Sequence, residues 1–183
     1  MFHISKDTPA YYLTSVTNKR LPVFQKAKMR DLVANAIDEA RNSATLFLFA
    51  YVIMLDHFHL LLGTNRKPSE TLRYVNGITS RRVIDALKER GYQSSLDKLR
   101  HAEEANRYRY SLWDHHPNLK LITDEDVFMQ KVNYIHQNPV RAGLVDRVED
   151  YRWSSVRCWR KCMIDDEPLL MDLSQIAWKS RKA

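Results

Sequence analysis

Two histidines separated by a single residue lie in the segment Met54-Leu55-Asp56-His57-Phe58-His59-Leu60-Leu61-Leu62. On a β-strand, alternate residues project to the same side, so His57 and His59 point together and the apolar residues between and after them face a core. Two imidazoles at this spacing can chelate one metal ion. They can equally be half-exposed histidines, or core histidines bonded to backbone groups, because two ligands do not complete a site.

A second segment carries a phenol, an amide and an amine at helical spacing. Lys131, Tyr134 and Asn138 follow one another at intervals of about one helical turn, so their side chains share a face. Read locally, Tyr134 is a packing residue whose hydroxyl finds a hydrogen-bond partner. By the same local reading, Asn138 belongs to an ordinary helix end.

The apolar periodicity predicts the elements that must position these side chains. We predict strands over residues 11–17, 45–54, 57–62 and 108–113, and helices over 25–41, 70–89 and 123–137. Thr123 is the predicted N-cap of the last helix, with Asp126 in capping-box position. Pro139 is expected to end that helix near Gln137, because the residue before a proline avoids helical geometry.

This order predicts an α+β fold. The first six elements match a ferredoxin-like β-α-β-β-α-β unit, with a central antiparallel sheet and helices on one face. A C-terminal helix that carries Tyr134 follows the unit.

Composition narrows the classes of function. A length of 183 residues suits one domain, and a net charge of +7 favours an acidic partner, nucleic acid first. Four glycines argue against a glycine-rich phosphate loop. Cys158 and Cys162 are too few for a disulfide framework and are expected to be free thiols in a reducing compartment. No apolar run approaches the roughly 20 residues of a membrane span, so a cytoplasmic protein without a membrane partner is expected.

Read together, the two chemical segments resemble the single-tyrosine HUH transposases, and most closely the REP-associated tyrosine transposases. The resemblance covers about residues 11–155. Three further segments carry it: Tyr12-Leu13-Thr14-Ser15-Val16-Thr17, Asn138-Pro139-Val140-Arg141-Ala142-Gly143-Leu144-Val145 and Tyr151-Arg152-Trp153-Ser154-Ser155. One departure stands before the histidines, where the family reads Met-Pro-Asn-His and this chain reads Met54-Leu55-Asp56-His57. Asp56 therefore adds a negative charge beside the site.

The resemblance implies that His57 and His59 hold a divalent metal, Mg²⁺ or Mn²⁺, with Asn138 as an amide-type third ligand. It implies that Tyr134 is the nucleophile of a metal-dependent endonuclease and strand transferase. Such an enzyme cleaves single-stranded DNA at hairpins through a 5′-phosphotyrosine and rejoins the strands during transposition. The corresponding HUH transposase domain would occupy residues 1–155, and residues 156–183 would form a tail without a separate domain. A homodimer and a monomer are both compatible with the family.

Contact with the DNA is expected from basic residues that have aromatic neighbours. The predicted set is Arg73, Arg81, Arg82, Arg107, Arg109, Lys131 and Arg141. Each of these can also be an ordinary solvated surface residue. Three other functions remain open at this point: a catalytically idle hairpin-binding protein derived from such a transposase, a replication-initiator or relaxase-type nuclease, and a metal-dependent hydrolase that does not act on DNA.

Overall fold

A computed structural model describes residues 4–100, 109–114 and 118–178. Within these ranges the chain forms four strands and five α-helices. They are β1 (Ala10–Val16), α1 (Ala27–Ala44), β2 (Phe47–Ile53), β3 (His57–Gly63), α2 (Pro68–Glu89), α3 (Gln93–Leu99), β4 (Asn118–Leu121), α4 (Glu125–Arg141) and α5 (Val156–Arg160). Short 3-10 helices lie at Asn18–Arg20, Val148–Asp150 and Leu173–Gln175.

The four strands form one antiparallel sheet in the order β2-β3-β1-β4. This is the strand order of a ferredoxin-like β-α-β-β-α-β unit, so the predicted fold class is confirmed. The helix that carries Tyr134 follows the unit as predicted and forms α4. The central pair, β1 and β3, has partners on both edges and is therefore the most constrained part of the sheet.

Side chains alternate between two apolar layers on the two faces of the sheet. Phe58, Leu60 and Leu62 of β3 pack in the first layer, with the buried stripes of α1 and α2. Leu61 of the same strand packs in the second layer, with α4. His57 and His59 lie on the second face of the sheet, because they alternate along β3 with Phe58, Leu60 and Leu62, which face the first layer.

The predicted strand over 108–113 is wrong, because β4 is instead Asn118–Leu121. Described residues 109–114 make only isolated bridges, from Tyr110 to Arg100 and from Trp113 to Thr17. Trp113 packs edge-on against Phe58, with ring centroids 5.0 Å apart. The aromatic side chains of Tyr110 and Trp113 therefore pack with the core of the first layer, whereas the more polar β4 forms the edge of the sheet.

Both predicted ends of the tyrosine helix are corrected. Its N-cap is Asp124 and not Thr123, because the Asp124 carboxylate accepts from the Val127 amide at 2.8 Å. The helix continues through Pro139 to Arg141. Proline removes one backbone donor, but it stands in the last helical turn, where this loss is tolerable. The side-chain amide of Asn138 adds a donor there, 2.8 Å from the Tyr134 carbonyl.

The chain beyond residue 152 covers the outer edge of β2. The Ile53 amide donates to the Trp153 carbonyl at 2.9 Å, and the Tyr51 amide donates to the Ser155 hydroxyl at 3.0 Å. Farther along, the Leu48 amide donates to the Asp172 carboxylate at 2.8 Å. A covered edge has few free backbone groups to pair with another strand. The predicted division at residues 155 and 156 stays a prediction, although the described part of the tail packs against this edge.

No helix in the described ranges is both long and apolar enough to cross a membrane.

Alanine substitutions at two glycines are expected to change the free energy of unfolding in opposite directions. A Cβ atom on Gly63 would stand 2.5 Å from the Thr8 hydroxyl and 2.9 Å from the buried Phe49 ring. We expect Gly63→Ala to lower the free energy of unfolding by about 1–3 kcal/mol through overpacking. Gly77 lies inside α2 with nothing within 4 Å of its Cβ position. Gly77→Ala should raise the free energy of unfolding by about 1 kcal/mol.

Urea unfolding of the two variants beside the wild type measures both effects. Equal stability of Gly63→Ala and the wild type would contradict the close packing at this end of β3.

Candidate active site

The two histidines and the tyrosine meet on the second face of the sheet, within one chain. The ring centroids of His57 and His59 are 4.9 Å apart. α4 crosses above them, and its Tyr134 ring meets the His59 ring edge to face at 5.4 Å. Tyr134 keeps 37% of its surface exposed, so an external substrate can reach it. Sheet and helix thus bring together residues that lie far apart in the sequence.

His59 lies buried between the sheet and α4, with hydroxyl partners supplied by β1. Its Nδ1 is 2.8 Å from the Tyr12 hydroxyl and 2.9 Å from the Thr14 hydroxyl. Burial, together with the positive charges nearby, lowers the pKa of His59 to about 3. The ring is therefore neutral at physiological pH, which is the form that binds a metal.

Tyr12 is the second tyrosine of the site. Its ring stacks on His59 with centroids 5.5 Å apart. Burial raises the pKa of Tyr12 to about 12, and its hydroxyl already lies against His59. A buried, hydrogen-bonded phenol of this kind is suited to hold the histidine in place. Tyr134 is the better placed of the two to meet a substrate.

His57 has an acidic partner in the turn that precedes β3. Its Nδ1 lies 2.5 Å from Asp56 Oδ1, and Asp56 Oδ2 accepts from Arg20 Nη1 at 2.9 Å. Burial acts to raise the pKa of Asp56, but its hydrogen bonds with His57 and Arg20 and its electrostatic attraction to them outweigh burial and hold the pKa below its ordinary value. Asp56 is therefore an anion.

These contacts fit a metal held by the two histidines. Both Nδ1 atoms are engaged with protein partners, which leaves both Nε2 atoms as ligands, the usual arrangement of metal-binding histidines. The Asn138 amide nitrogen donates to the Tyr134 carbonyl, so its oxygen is the atom left to bind a cation. No cluster of three or more His, Cys, Asp or Glu suited to a metal occurs among the residues that the structure describes. The two histidines would thus supply two nitrogens, Asn138 as a third ligand stays a prediction, and substrate and water would supply the rest.

Two predicted DNA-binding cations flank the tyrosine. Lys131 Nζ stands 4.8 Å from the Tyr12 ring centroid and 5.8 Å from that of Tyr134. The Arg141 guanidinium is 5.3 Å from the Tyr134 ring. Lys120 of β4 pairs with Tyr12 across the sheet and so projects to the same face, where it is exposed. These residues form a cationic rim around the site.

Three other predicted DNA-binding residues lie away from this rim. Arg73, Arg81 and Arg82 are exposed on α2, in the layer behind the sheet. Arg82 makes a two-pronged ion pair with Glu39 of α1, at 2.7 and 2.9 Å. Arg73 and Arg81 line an open groove of about 390 Å³ that they share with Glu39.

Two further members of that set come from the segment before β4. The Arg109 guanidinium is 5.6 Å from the Tyr110 ring centroid. Arg107 lies outside the described residues.

Sequence reasoning assigned no role to Tyr12, Thr14 or Arg20. The alternation of Tyr12 and Thr14 showed that they share one face of β1, but the partner facing them depends on the register between β1 and β3. That register pairs Thr14 with His59. Arg20 meets Asp56 only because the chain folds back between β1 and α1, and no local pattern reveals that contact.

His136 anchors the tyrosine helix to the sheet. It is buried, and its Nε2 is 3.0 Å from the Ser155 hydroxyl, which is itself bonded to the backbone of Tyr51 in β2. Burial, reinforced by the Arg160 charge, lowers the pKa of His136 to about 4. This neutral contact fixes α4 just beyond Tyr134.

The fold is the one expected of the single-tyrosine HUH class. The model of the IS200-like transposase family matches residues 6–120, more than half of the chain. The chain therefore belongs to the IS200-like transposases. The match includes both histidines and ends before α4.

Solved structures extend the likeness of fold beyond β4. A REP-associated tyrosine transposase bound to a REP hairpin superposes with a TM-score of 0.60 at 15% sequence identity, covering 98% of this chain and 97% of the other. A candidate transposase from Deinococcus radiodurans R1 gives a TM-score of 0.52 at 19% identity, covering 75% of this chain and 95% of the other. The search of curated proteins found no match.

The His136 anchor predicts a pH dependence of stability. The unfolded chain protonates this histidine near its ordinary pKa of about 6.5, whereas the folded chain does so only near 4. Between these values the unfolded state binds more protons, so the free energy of unfolding falls as the pH falls. We expect His136 to account for a loss of up to about 3 kcal/mol across this window.

Urea unfolding of the metal-free protein between about pH 7 and about pH 4, beside His136→Gln, measures this contribution. His59 titrates in both proteins, so the difference between their slopes belongs to His136. Identical slopes would contradict the assignment.

Proposed function

We propose that this protein is a transposase that cleaves and rejoins single-stranded DNA at hairpins, with Tyr134 as nucleophile beside a divalent metal. The observation that carries the proposal is the contact of the partly exposed Tyr134 ring with His59 at 5.4 Å, beside the second histidine, His57. Membership of the IS200-like transposases supports the same chemistry.

Cleavage is a transesterification at phosphorus. The Tyr134 oxygen attacks, a tyrosyl O–P bond forms, and the bond from phosphorus to the 3′ oxygen breaks. The phenol proton is lost, the leaving 3′ oxygen gains one, and a 5′-phosphotyrosine and a free 3′-hydroxyl result. A DNA 3′-hydroxyl can reverse the step without ATP, because the phosphotyrosine bond conserves the phosphodiester energy.

His57, His59 and the Asn138 amide oxygen would hold Mg²⁺ or Mn²⁺. When bound, the cation would withdraw charge from the phosphoryl oxygens and favour the leaving group. Lys131 and Arg141 supply positive charge next to the phenol, where negative charge gathers before attack. Tyr12 and Thr14 keep the His59 ring in the orientation that leaves its Nε2 free.

The cationic rim is the first part of the proposed DNA surface. Lys131, Arg141 and Lys120 lie on the face that carries the tyrosine, so a single strand passing the site would meet all three. Arg73, Arg81 and Arg82 remain predicted DNA contacts, suited to duplex or flanking strand that extends past the α2 layer. Arg107 and Arg109 also remain predicted DNA contacts. The solved REP-associated transposase was bound to a REP hairpin, which supports a hairpin as the substrate here.

One chain would be sufficient for the reaction in this proposal. Tyr134 meets the histidine pair of its own chain, so a complete site needs no second subunit. A homodimer remains compatible with the family, and sedimentation of the active protein distinguishes the two states.

The nucleophile is tested with labelled single-stranded hairpin DNA from the flanks of the gene, incubated with Mn²⁺. We expect a protein-sized labelled band on a denaturing gel, absent in Tyr134→Phe and in His57→Ala. Tyr74→Phe is a matched tyrosine control on α2 and should retain the band. Tight binding without a band on any flanking hairpin would instead favour an idle DNA-binding protein.

The rim is tested by the salt dependence of DNA binding. We expect Lys131→Ala and Arg141→Ala each to reduce the slope of log Kd against log salt by about 0.7, the value for one phosphate contact on a single strand. Lys28→Ala on α1 should leave the slope unchanged, because that exposed residue lies outside both the rim and the predicted set of DNA-binding residues. Fluorescence anisotropy over a salt series measures the slopes, and unchanged slopes in both rim variants would remove these residues from the DNA surface.

A further inference from the structure

The turn between β2 and β3 is held from several sides. Within it, the Met54 amide donates to the His57 carbonyl at 2.8 Å. From outside, the Thr17 amide donates to the Asp56 carbonyl at 2.8 Å, and the Phe24 amide donates to the Leu55 carbonyl at 2.9 Å. The backbone of Asp56 is therefore fixed by the loop that follows β1.

The Asp56 side chain is equally constrained. One carboxylate oxygen lies 2.5 Å from His57 Nδ1, and the other accepts from Arg20 at 2.9 Å. Only 18% of the Asp56 side chain is exposed, whereas 67% of the Arg20 side chain is. Asp56 thus connects a partly buried imidazole to a guanidinium at the surface.

Arg20 reaches this position through a strained backbone. Lys19 and Arg20 both adopt left-handed conformations, with φ values of 54° and 52°. Such conformations are unfavourable for residues other than glycine and persist where surrounding contacts enforce them. The backbone of this loop is therefore strained in the conformation that places the Arg20 guanidinium beside Asp56.

We propose that Asp56 is a positioning residue that fixes the tautomer of His57. Asp56 Oδ1 lies 2.5 Å from His57 Nδ1 while Arg20 donates to Oδ2, so the ring proton is held on Nδ1 and the Nε2 lone pair is left for a divalent cation. The negative charge also makes that nitrogen a stronger donor to the metal, and Arg20 holds the carboxylate in its rotamer. This inference rests on the proposed metal site and adds a chain-specific partner to it.

The two histidines are therefore supported differently. His59 has two neutral hydroxyl partners, and either hydroxyl can donate or accept. His57 alone has an ionised partner. An asparagine in place of Asp56 would bring no charge. The Asp56 carboxylate contacts His57 directly, whereas its charge acts on His59 only from a distance.

The tautomer is measured in the metal-free protein by long-range proton–nitrogen correlation spectra of the histidine rings. The signals of His57 are assigned as those lost in His57→Ala. We expect a pure Nδ1–H tautomer in the wild type and a mixture richer in the Nε2–H form in Asp56→Ala. An unchanged tautomer in Asp56→Ala would overturn the inference, whatever the protein does with metals.

Metal affinity is measured on the same proteins by calorimetric titration with Mn²⁺. Loss of a partner of this type typically weakens metal binding by about 10- to 100-fold, which is the effect expected for Asp56→Ala. Asp56→Asn keeps the shape of the side chain, so it still tests the proposal if the alanine variant misfolds. Its affinity for Mn²⁺ should fall between those of the wild type and Asp56→Ala. Asp165→Ala removes an exposed carboxylate elsewhere and should bind as the wild type does.

The two proposals fail differently. A wild-type protein that does not bind Mn²⁺ would remove the metal site of the proposed function, and the tautomer would still decide the role of Asp56. A wild type that binds Mn²⁺, with undiminished affinity in both Asp56 variants, would overturn the positioning role and leave the metal site standing.

Discussion

The candidate site depends on the packing of α4 against the sheet. Val132 and Ile135 of α4 are fully buried in the layer that also contains Leu61 and Tyr12. Tyr134 lies between them in sequence and is turned towards the edge of this contact, where the sheet face reaches solvent. A loss of apolar packing under α4 would therefore move the phenol relative to His59, even with every polar residue of the site intact.

The polar side chains beneath α4 satisfy one another. A buried polar group without a partner costs about 1–3 kcal/mol, and the sheet face carries several such groups. Tyr12, Thr14 and His59 form a closed set of hydrogen bonds, and His136 is paired with Ser155. The same contacts that prevent this cost also orient the His59 ring, so the site is formed before any substrate or metal arrives.

Charge is distributed unevenly over the two layers. Around the tyrosine, Lys131 and Arg141 contact aromatic rings, so their charges lie beside the approach to the site. In the layer behind the sheet, Glu39 partly neutralises Arg81 and Arg82. The net charge of +7 is therefore spread over two surfaces, and only the one behind the sheet is partly neutralised by Glu39. Of the two, the surface beside the tyrosine is better suited to bind a phosphate backbone.

The sequence by itself determined the order of elements, the shared face of His57 and His59, and the helix of Tyr134, because each follows from a local period of two or about 3.6 residues. Local reasoning failed for the strand over 108–113, where aromatic residues serve tertiary packing, and at Pro139, where the neighbouring amide and the last turn accommodate a proline. Only the tertiary structure decided that Thr14 meets His59, that Arg20 meets Asp56, and that Tyr134 reaches the histidines of its own chain. Those contacts depend on strand register and on the seating of α4, which arise from packing between distant segments and leave no periodic signal in the chain.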